Sequence, residues 1–189
     1  MPTLPTDALA GKNILFAAAV AVSAILFYVV GRSVLEIGHP HEDAFILFIF
    51  AEELAATGRI SYYSGGPPAE GATDFLWMIA IAAFNVIGVS SGQAALVMNT
   101  AGVALIAAVT YKGVRHFGGS ELIAVLCVII LPLLSFLHAG FGGFSTPLYA
   151  ALSLLIFSLL VTAEGRNLVW IPALSIMLGL FRPDGVVLG

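Results

Sequence analysis

The residues of this chain best suited to chemistry crowd into one short stretch, GHPHEDAFILFIFAEELAATG, residues 38–58, where His39, His41, Glu42 and Asp43 stand between two apolar runs. Ionisable groups beside lipid-soluble segments are costly if they enter hydrocarbon, so their position asks for a reason. A carboxylate held against apolar helices is a stronger base than one in open water and can take a proton from a hydroxyl group. Two histidines with two carboxylates offer a second chemistry, since imidazole and carboxylate both suit zinc or manganese. In an extended segment His39 and His41 share a face, but the sequence has no further cluster to complete a ligand set. The structural role open to the same residues is capping. Asp43 as N-cap, with Glu42 beside the helix dipole, would stabilise a following helix by about 1 kcal/mol. Capping explains Asp43 and leaves His39, His41 and Glu42 without a task.

Polar groups recur further on. PPAEGATDF carries Glu70 and Asp74, HAGFGGFSTP carries His138, Ser145 and Thr146, and FRPDG carries Arg182 and Asp184. Singly each suits a loop or a helix terminus: Asp74 and Ser145 are good N-caps, and Pro147 sits near a first-turn position. If they share one membrane surface, they outline a polar cavity over a helical bundle, as an amphiphilic substrate would require.

The elements that must position these groups are apolar. Of 189 residues, 60% are hydrophobic and 10% charged, and the mean hydropathy is +1.05, far outside the range of a soluble globular domain. The net charge of −4 is small and scattered, which leaves no basic face for nucleic acid. Cys127 has no intrachain partner and reads as a small lipid- or helix-facing residue rather than a reactive thiol. There are no internal repeats. Spanning-length apolar runs cover residues 14–30, 94–111, 122–137, 147–161 and 168–181. The first, preceded by Lys12 and followed by GRSVLEIGHP with no good small-x-small cleavage site, reads as an uncleaved anchor.

Residues 75–89, FLWMIAIAAFNVIGV, are shorter, contain Asn85 and place Trp77 where an interfacial ring would sit. Charge arbitrates. If this segment lies in the interface, Lys12, Lys112, Arg115 and Arg166 fall inside, with His116 as a solvated flank residue; Arg32, Arg59 and Arg182 fall outside. Residues 32–92 then form one external loop, too long for a plain connector and so expected to be structured. Its first helix would run from Asp43 as N-cap through Phe45, Phe48, Ile49 and Glu52 to Gly58, with Glu52 and Glu53 near water. SGGPPAEGATDF breaks regular structure, and a second interfacial helix starts at Asp74 or Phe75.

The order of these motifs resembles a known family. An acidic pair after the first membrane helix, then AFILFIFAEELAATGRISYYSGGPPAEGATDFLW, then GGFSTPLYAAL, then GLFRPDGVV, is similar to the pattern of bacterial GT-C membrane glycosyltransferases, in particular the arabinofuranosyltransferase-like and dolichyl-mannosyltransferase-like members. The likeness covers most of the chain from Glu42 onward. It departs from that pattern at Glu42, which stands for an Asp, Ile49 for an Arg, Ala72 for a Tyr and Ser145 for a Glu. The resemblance implies that Asp43, with Glu42 beside it, occupies the catalytic position of a first external loop, and that a polyprenyl-phosphate sugar is the donor. The carboxylate would take the proton of an acceptor hydroxyl as that oxygen attacks the anomeric carbon with inversion. Arg182 would stabilise the departing phosphate.

The expectation is therefore an all-α polytopic transmembrane helical bundle, GT-C-like, with about five spanning helices and interfacial helices in the first external loop. It is a single transmembrane domain over residues 1–189, the N-terminal portion of a longer enzyme, in the plasma membrane with its N-terminus cytoplasmic and its active-site loop external. The catalytic candidates are Asp43 and Glu42; the substrate-binding candidates are Arg182, Glu70, Asp74, His138 and Thr146. No cofactor is implied beyond a divalent cation at His39 and His41. The partners are the lipid-phosphate sugar donor, a glycan or lipid acceptor and membrane lipids. The reading from another class is a non-catalytic membrane subunit that binds lipid or partner helices. A transporter fits less well, because its path would place ionisable groups at mid-membrane depth.

Overall fold

The computed structural model of the chain describes residues 6–37, 41–69, 74–131, 135–162 and 169–182. These form α1 (Thr6–Ile37), α2 (Glu42–Thr57), α3 (Phe75–Val86), α4 (Ser91–His116), α5 (Glu121–Ile130), a 3-10 helix (Ser135–Gly142), α6 (Thr146–Thr162) and α7 (Trp170–Phe181), with no strand among the described residues. The all-helical class follows from apolar runs too long and unbroken for a sheet, punctuated by Gly, Pro and Ser.

Two helices are long and apolar enough to cross a membrane, Asn13–Glu36 within α1 and Ser91–His116, which is α4. The other apolar helices are shorter. The expected span over residues 122–137 is instead divided: α5 ends at Ile130, just before Leu131 and Pro132, and the 3-10 helix takes over at Ser135. Proline lacks the N–H that would continue the ladder and disfavours helix in the residue before it. The 12 residues of α7 reach only about 18 Å at 1.5 Å per residue, against about 30 Å of hydrocarbon.

α4 is the central strut, packed against α1, α2, α3, α5, the 3-10 helix and α6 through a stripe that includes Ala95, Asn99, Gly102, Val103, Ile106 and Tyr111. α1 runs antiparallel to it. At one end Phe16 lies against Tyr111, with ring centroids 5.0 Å apart, and at the other Leu35 approaches Gly92. Ala19 of α1 and Ala124 and Val128 of α5 close a small core around Ala107. The largest core gathers α2, α3, α6 and α7 around the start of α4, with Trp77, Met78 and Ile81 of α3 fully buried. Outward faces remain apolar: Ile25 of α1 is 59% exposed, Phe157 of α6 62% and Ile176 of α7 65%. Such surface on several helices, with two of them of spanning length, points to membrane association.

Local signals explain the termini. Gly58 ends α2 in the left-handed conformation, φ 72°, its N–H bonded to the Leu54 carbonyl at 2.9 Å. Ser120 caps α5 by accepting from the Ile123 N–H. Glu52 is exposed, as its place on α2 predicts, yet it accepts from Ser91 Oγ at 2.7 Å and so ties α2 to the start of α4. Glu53 departs from expectation: it is half-buried, with one carboxylate oxygen shut away from solvent.

Candidate functional site

The start of α2 is set by His41 rather than by Asp43. His41 is extended (φ −60°, ψ 145°), its N–H donates to the Gly142 carbonyl at 3.0 Å, and its carbonyl accepts from Ala44 and Phe45. The chain therefore turns helical only at Glu42. The cap is the imidazole, whose Nδ1 accepts from the Asp43 N–H at 3.4 Å. This corrects the expectation of Asp43 as N-cap. Asp43 lies within the first turn, where its carboxylate is free of capping and complements the helix dipole.

Asp74 occupies the N-cap position of α3, as expected, but its side chain makes no capping bond. The Ser145 hydroxyl donates to Asp74 Oδ2 at 2.8 Å, joining the start of α3 to the start of α6. Ser145 is completely buried. The serine that stands where the resembled pattern has a glutamate thus holds a carboxylate instead of supplying one.

Between them runs the turn 140–144. Asn99, buried in the middle of α4, donates to the carbonyls of Gly140 at 3.2 Å and Phe144 at 2.8 Å. Trp77 Nε1 donates to the Gly143 carbonyl at 3.0 Å. Trp77 is therefore not an interfacial ring: α2, α4 and α7 cover α3, and its indole finds its partner inside. Gly143 has φ 97°, and a Cβ there would come within 2.6 Å of Phe48 and 3.0 Å of Ala44, so only glycine serves.

These ends enclose a cavity of about 270 Å³, lined by Asp43, Ala44 and Leu47 of α2, Asp74 and Trp77, Gly143 and Phe144, and Arg182 just past α7. The Arg182 guanidinium also lies 5.5 Å from the centre of the Tyr149 ring. α2, α3 and α6 all begin at its edge, so their partially positive ends add to the guanidinium against the two carboxylates. The walls can hold a polar group that carries both an anionic part and hydroxyls, with an apolar flank beside it.

Of the candidate residues, the structure brings Asp43, Asp74 and Arg182 together. Glu42 is exposed on α2 and Thr146 begins α6 half-buried; neither lines the cavity. His39 and Glu70 lie outside the described residues, as does the side chain of His138, whose backbone belongs to the 3-10 helix. Among the described residues no three His, Cys, Asp or Glu side chains are grouped so as to hold a metal ion. Sequence reasoning missed Asn99 and Gly143. The signal for Asn99 was available, since a lone amide inside an apolar spanning helix needs a buried partner.

Compared with known proteins, the chain matches no family model, no curated protein and no solved structure.

Proposed function

We propose that this chain is a GT-C-like membrane glycosyltransferase, a helical bundle that α1 and α4 anchor across the plasma membrane with the shorter α5, α6 and α7 in the same bundle, and that it transfers a sugar from a polyprenyl-phosphate donor at the outer face. The observation that carries this reading is that Asp43 and Arg182, from opposite ends of the chain, line one cavity with Asp74. In the reaction, Asp43 takes the proton of the acceptor hydroxyl while that oxygen forms its bond to the anomeric carbon. The bond from that carbon to the phosphate oxygen breaks, and its electron pair leaves with the phosphate. Arg182 donates to the phosphate oxygens as their charge grows. Asp74, fixed by Ser145, accepts from sugar hydroxyls.

The direct test is transfer from a polyprenyl-phosphate sugar by the purified protein, with Arg182→Gln beside it. Loss of a charged donor to a developing oxyanion lowers the rate by roughly a hundredfold. Equal rates for the two proteins at equal folded yield, or no transfer by either, would overturn the reading.

Orientation is tested separately. In a Cys127→Ala background, a cysteine placed at Ser64, beyond α2, should react in intact cells with an impermeant thiol reagent, and one at Gly113, at the Lys112–Arg115 end of α4, should not. Equal labelling would show that the two ends do not face opposite sides.

A further inference from the structure

Arg182 has to be held in place before it can serve a phosphate. Its backbone closes α7, with the N–H bonded to the Leu178 carbonyl at 3.1 Å and extended dihedrals, φ −150° and ψ 143°. From there a long, flexible side chain reaches a cavity that also holds the carboxylates of Asp43 and Asp74. A guanidinium drawn onto a carboxylate spends N–H donors on it. The contact with Tyr149 is of another kind. The guanidinium carbon lies over the ring, 5.5 Å from its centre, within the range where the negative face of an aromatic ring attracts a cation. That attraction fixes the charge and uses none of its N–H donors.

Tyr149 is itself anchored. Its N–H donates to the Ser145 carbonyl at 2.9 Å, and its own carbonyl accepts from Ser153 Oγ at 3.0 Å. Its hydroxyl oxygen is shut away from solvent, and the residue packs against the core shared by α2, α3, α6 and α7. It follows Ser145 by one helical turn, and residues at that spacing share a helix face. The start of α6 therefore presents a hydroxyl to Asp74, at 2.8 Å, and a ring to Arg182. One helix thus sets an acidic and a basic group of the cavity that come from two other elements.

We propose that Tyr149 is a positioning residue for Arg182: its ring holds the guanidinium at the cavity wall while the N–H donors stay available to a phosphate group. This rests on the reading of the cavity as a phosphate-sugar site, and the experiment separates phosphate binding from transfer.

The test uses the full chain in detergent micelles, with phenylalanine or pentafluorophenylalanine in place of Tyr149. The two rings have nearly the same shape, but fluorination inverts the charge of the face. Undecaprenyl phosphate is the probe. Tyr149→Phe should bind it within about threefold of the unaltered protein, and the fluorinated ring should weaken binding roughly tenfold. In an Arg182→Gln background the two rings should bind equally. Equal binding with Arg182 present, or the same difference in its absence, would show that the ring merely fills space and would overturn the proposal, as would failure of the unaltered protein to bind the probe. A spectroscopic reading accompanies these. The Arg182 side-chain signals, assigned by their absence in Arg182→Gln, should be displaced by the ring current of Tyr149 and move back in Tyr149→Leu; signals that stay where they are place the guanidinium elsewhere and overturn the proposal. In the transfer assay the fluorinated ring should raise KM for the sugar donor by about tenfold and leave KM for the acceptor unchanged. The expected binding and coupling with no transfer from any donor would support the role of Tyr149 and count against the transferase reading alone.

Discussion

Asp43→Asn is expected to lower the transfer rate by about a hundredfold or more while leaving the folded yield unchanged, because an amide oxygen cannot accept the hydroxyl proton at neutral pH. The fold sharpens this expectation. Were Asp43 the N-cap, the substitution would test a cap that Asn fills about as well as Asp. With His41 as cap, the cap acceptor is untouched, and among the described residues the polar side chain nearest the Asp43 carboxylate is that of His41, with Nδ1 at 3.8 Å. The carboxylate is largely exposed, so its replacement by a neutral isostere costs within about 0.5 kcal/mol of stability. Glu42→Gln is the matched comparison: the neighbouring carboxylate is also exposed but does not line the cavity, and its loss should change the rate by less than about threefold. Transfer is followed from a polyprenyl-phosphate sugar, with folded yield by size-exclusion profile and thermal unfolding. Normal transfer by the double variant at unchanged yield would show that both carboxylates are structural and that the chemistry of this loop lies elsewhere.

What could be read from the residues alone was the helical class, the helix ending at Gly58, the break after Ser64 and the helix from Phe75. Each rests on local rules: apolar periodicity, a left-handed glycine, paired prolines. What could not be read was who spends a polar side chain on whom. Asp74 and Ser145 have the residue types of N-caps, and nothing local indicates that 71 positions apart in sequence they bond to each other across two helix starts. Trp77 read as an interfacial ring because it stands near the start of an apolar helix. Whether such a ring meets lipid headgroups or a carbonyl depends on the helices that cover it, which is tertiary information. His41 was passed over as a cap because Ser, Thr, Asp and Asn dominate that role; here its own backbone N–H is bonded to the Gly142 carbonyl and its ring accepts from the Asp43 N–H. The apolar run over residues 122–137, in turn, overstated the length of α5. Hydropathy does not register that Pro132 stops α5, nor that a 3-10 turn replaces its last part.

The same substitution at two glycines of α4 should act with opposite sign. At Gly102 a Cβ would lie 2.7 Å from Leu148 Cα, 2.8 Å from Leu148 N and 2.9 Å from the carbonyl carbon of Pro147, all backbone atoms that cannot rotate out of the way. Small residues permit this approach of two helix backbones, the usual basis of helix pairing in lipid. Gly102→Ala must therefore push the start of α6 away from α4. Overpacking of this kind costs about 1–3 kcal/mol, and Gly102→Val more. The displacement is also passed to the site. Pro147 follows directly on Ser145 and Thr146, so moving it lengthens the Ser145 bond to Asp74 and strains the two carbonyl contacts of Asn99 that fix the turn at Gly143. Transfer should then fall by about tenfold even in the fraction that stays folded, since a misplacement of about 1 Å can cost that much or more. Gly113, further along the same helix, has nothing within 4 Å of a Cβ. There Gly113→Ala removes only the backbone freedom that glycine has in the unfolded chain, and should raise stability by about 0.5–1 kcal/mol with no change in transfer. Thermal unfolding of both variants in the same detergent, with transfer rates normalised to folded protein, checks the pair. A Gly102→Ala protein as stable as the unaltered chain would mean that α4 and α6 do not meet at this point, and with that contact would go the placement of Ser145 and the wall of the cavity it supports.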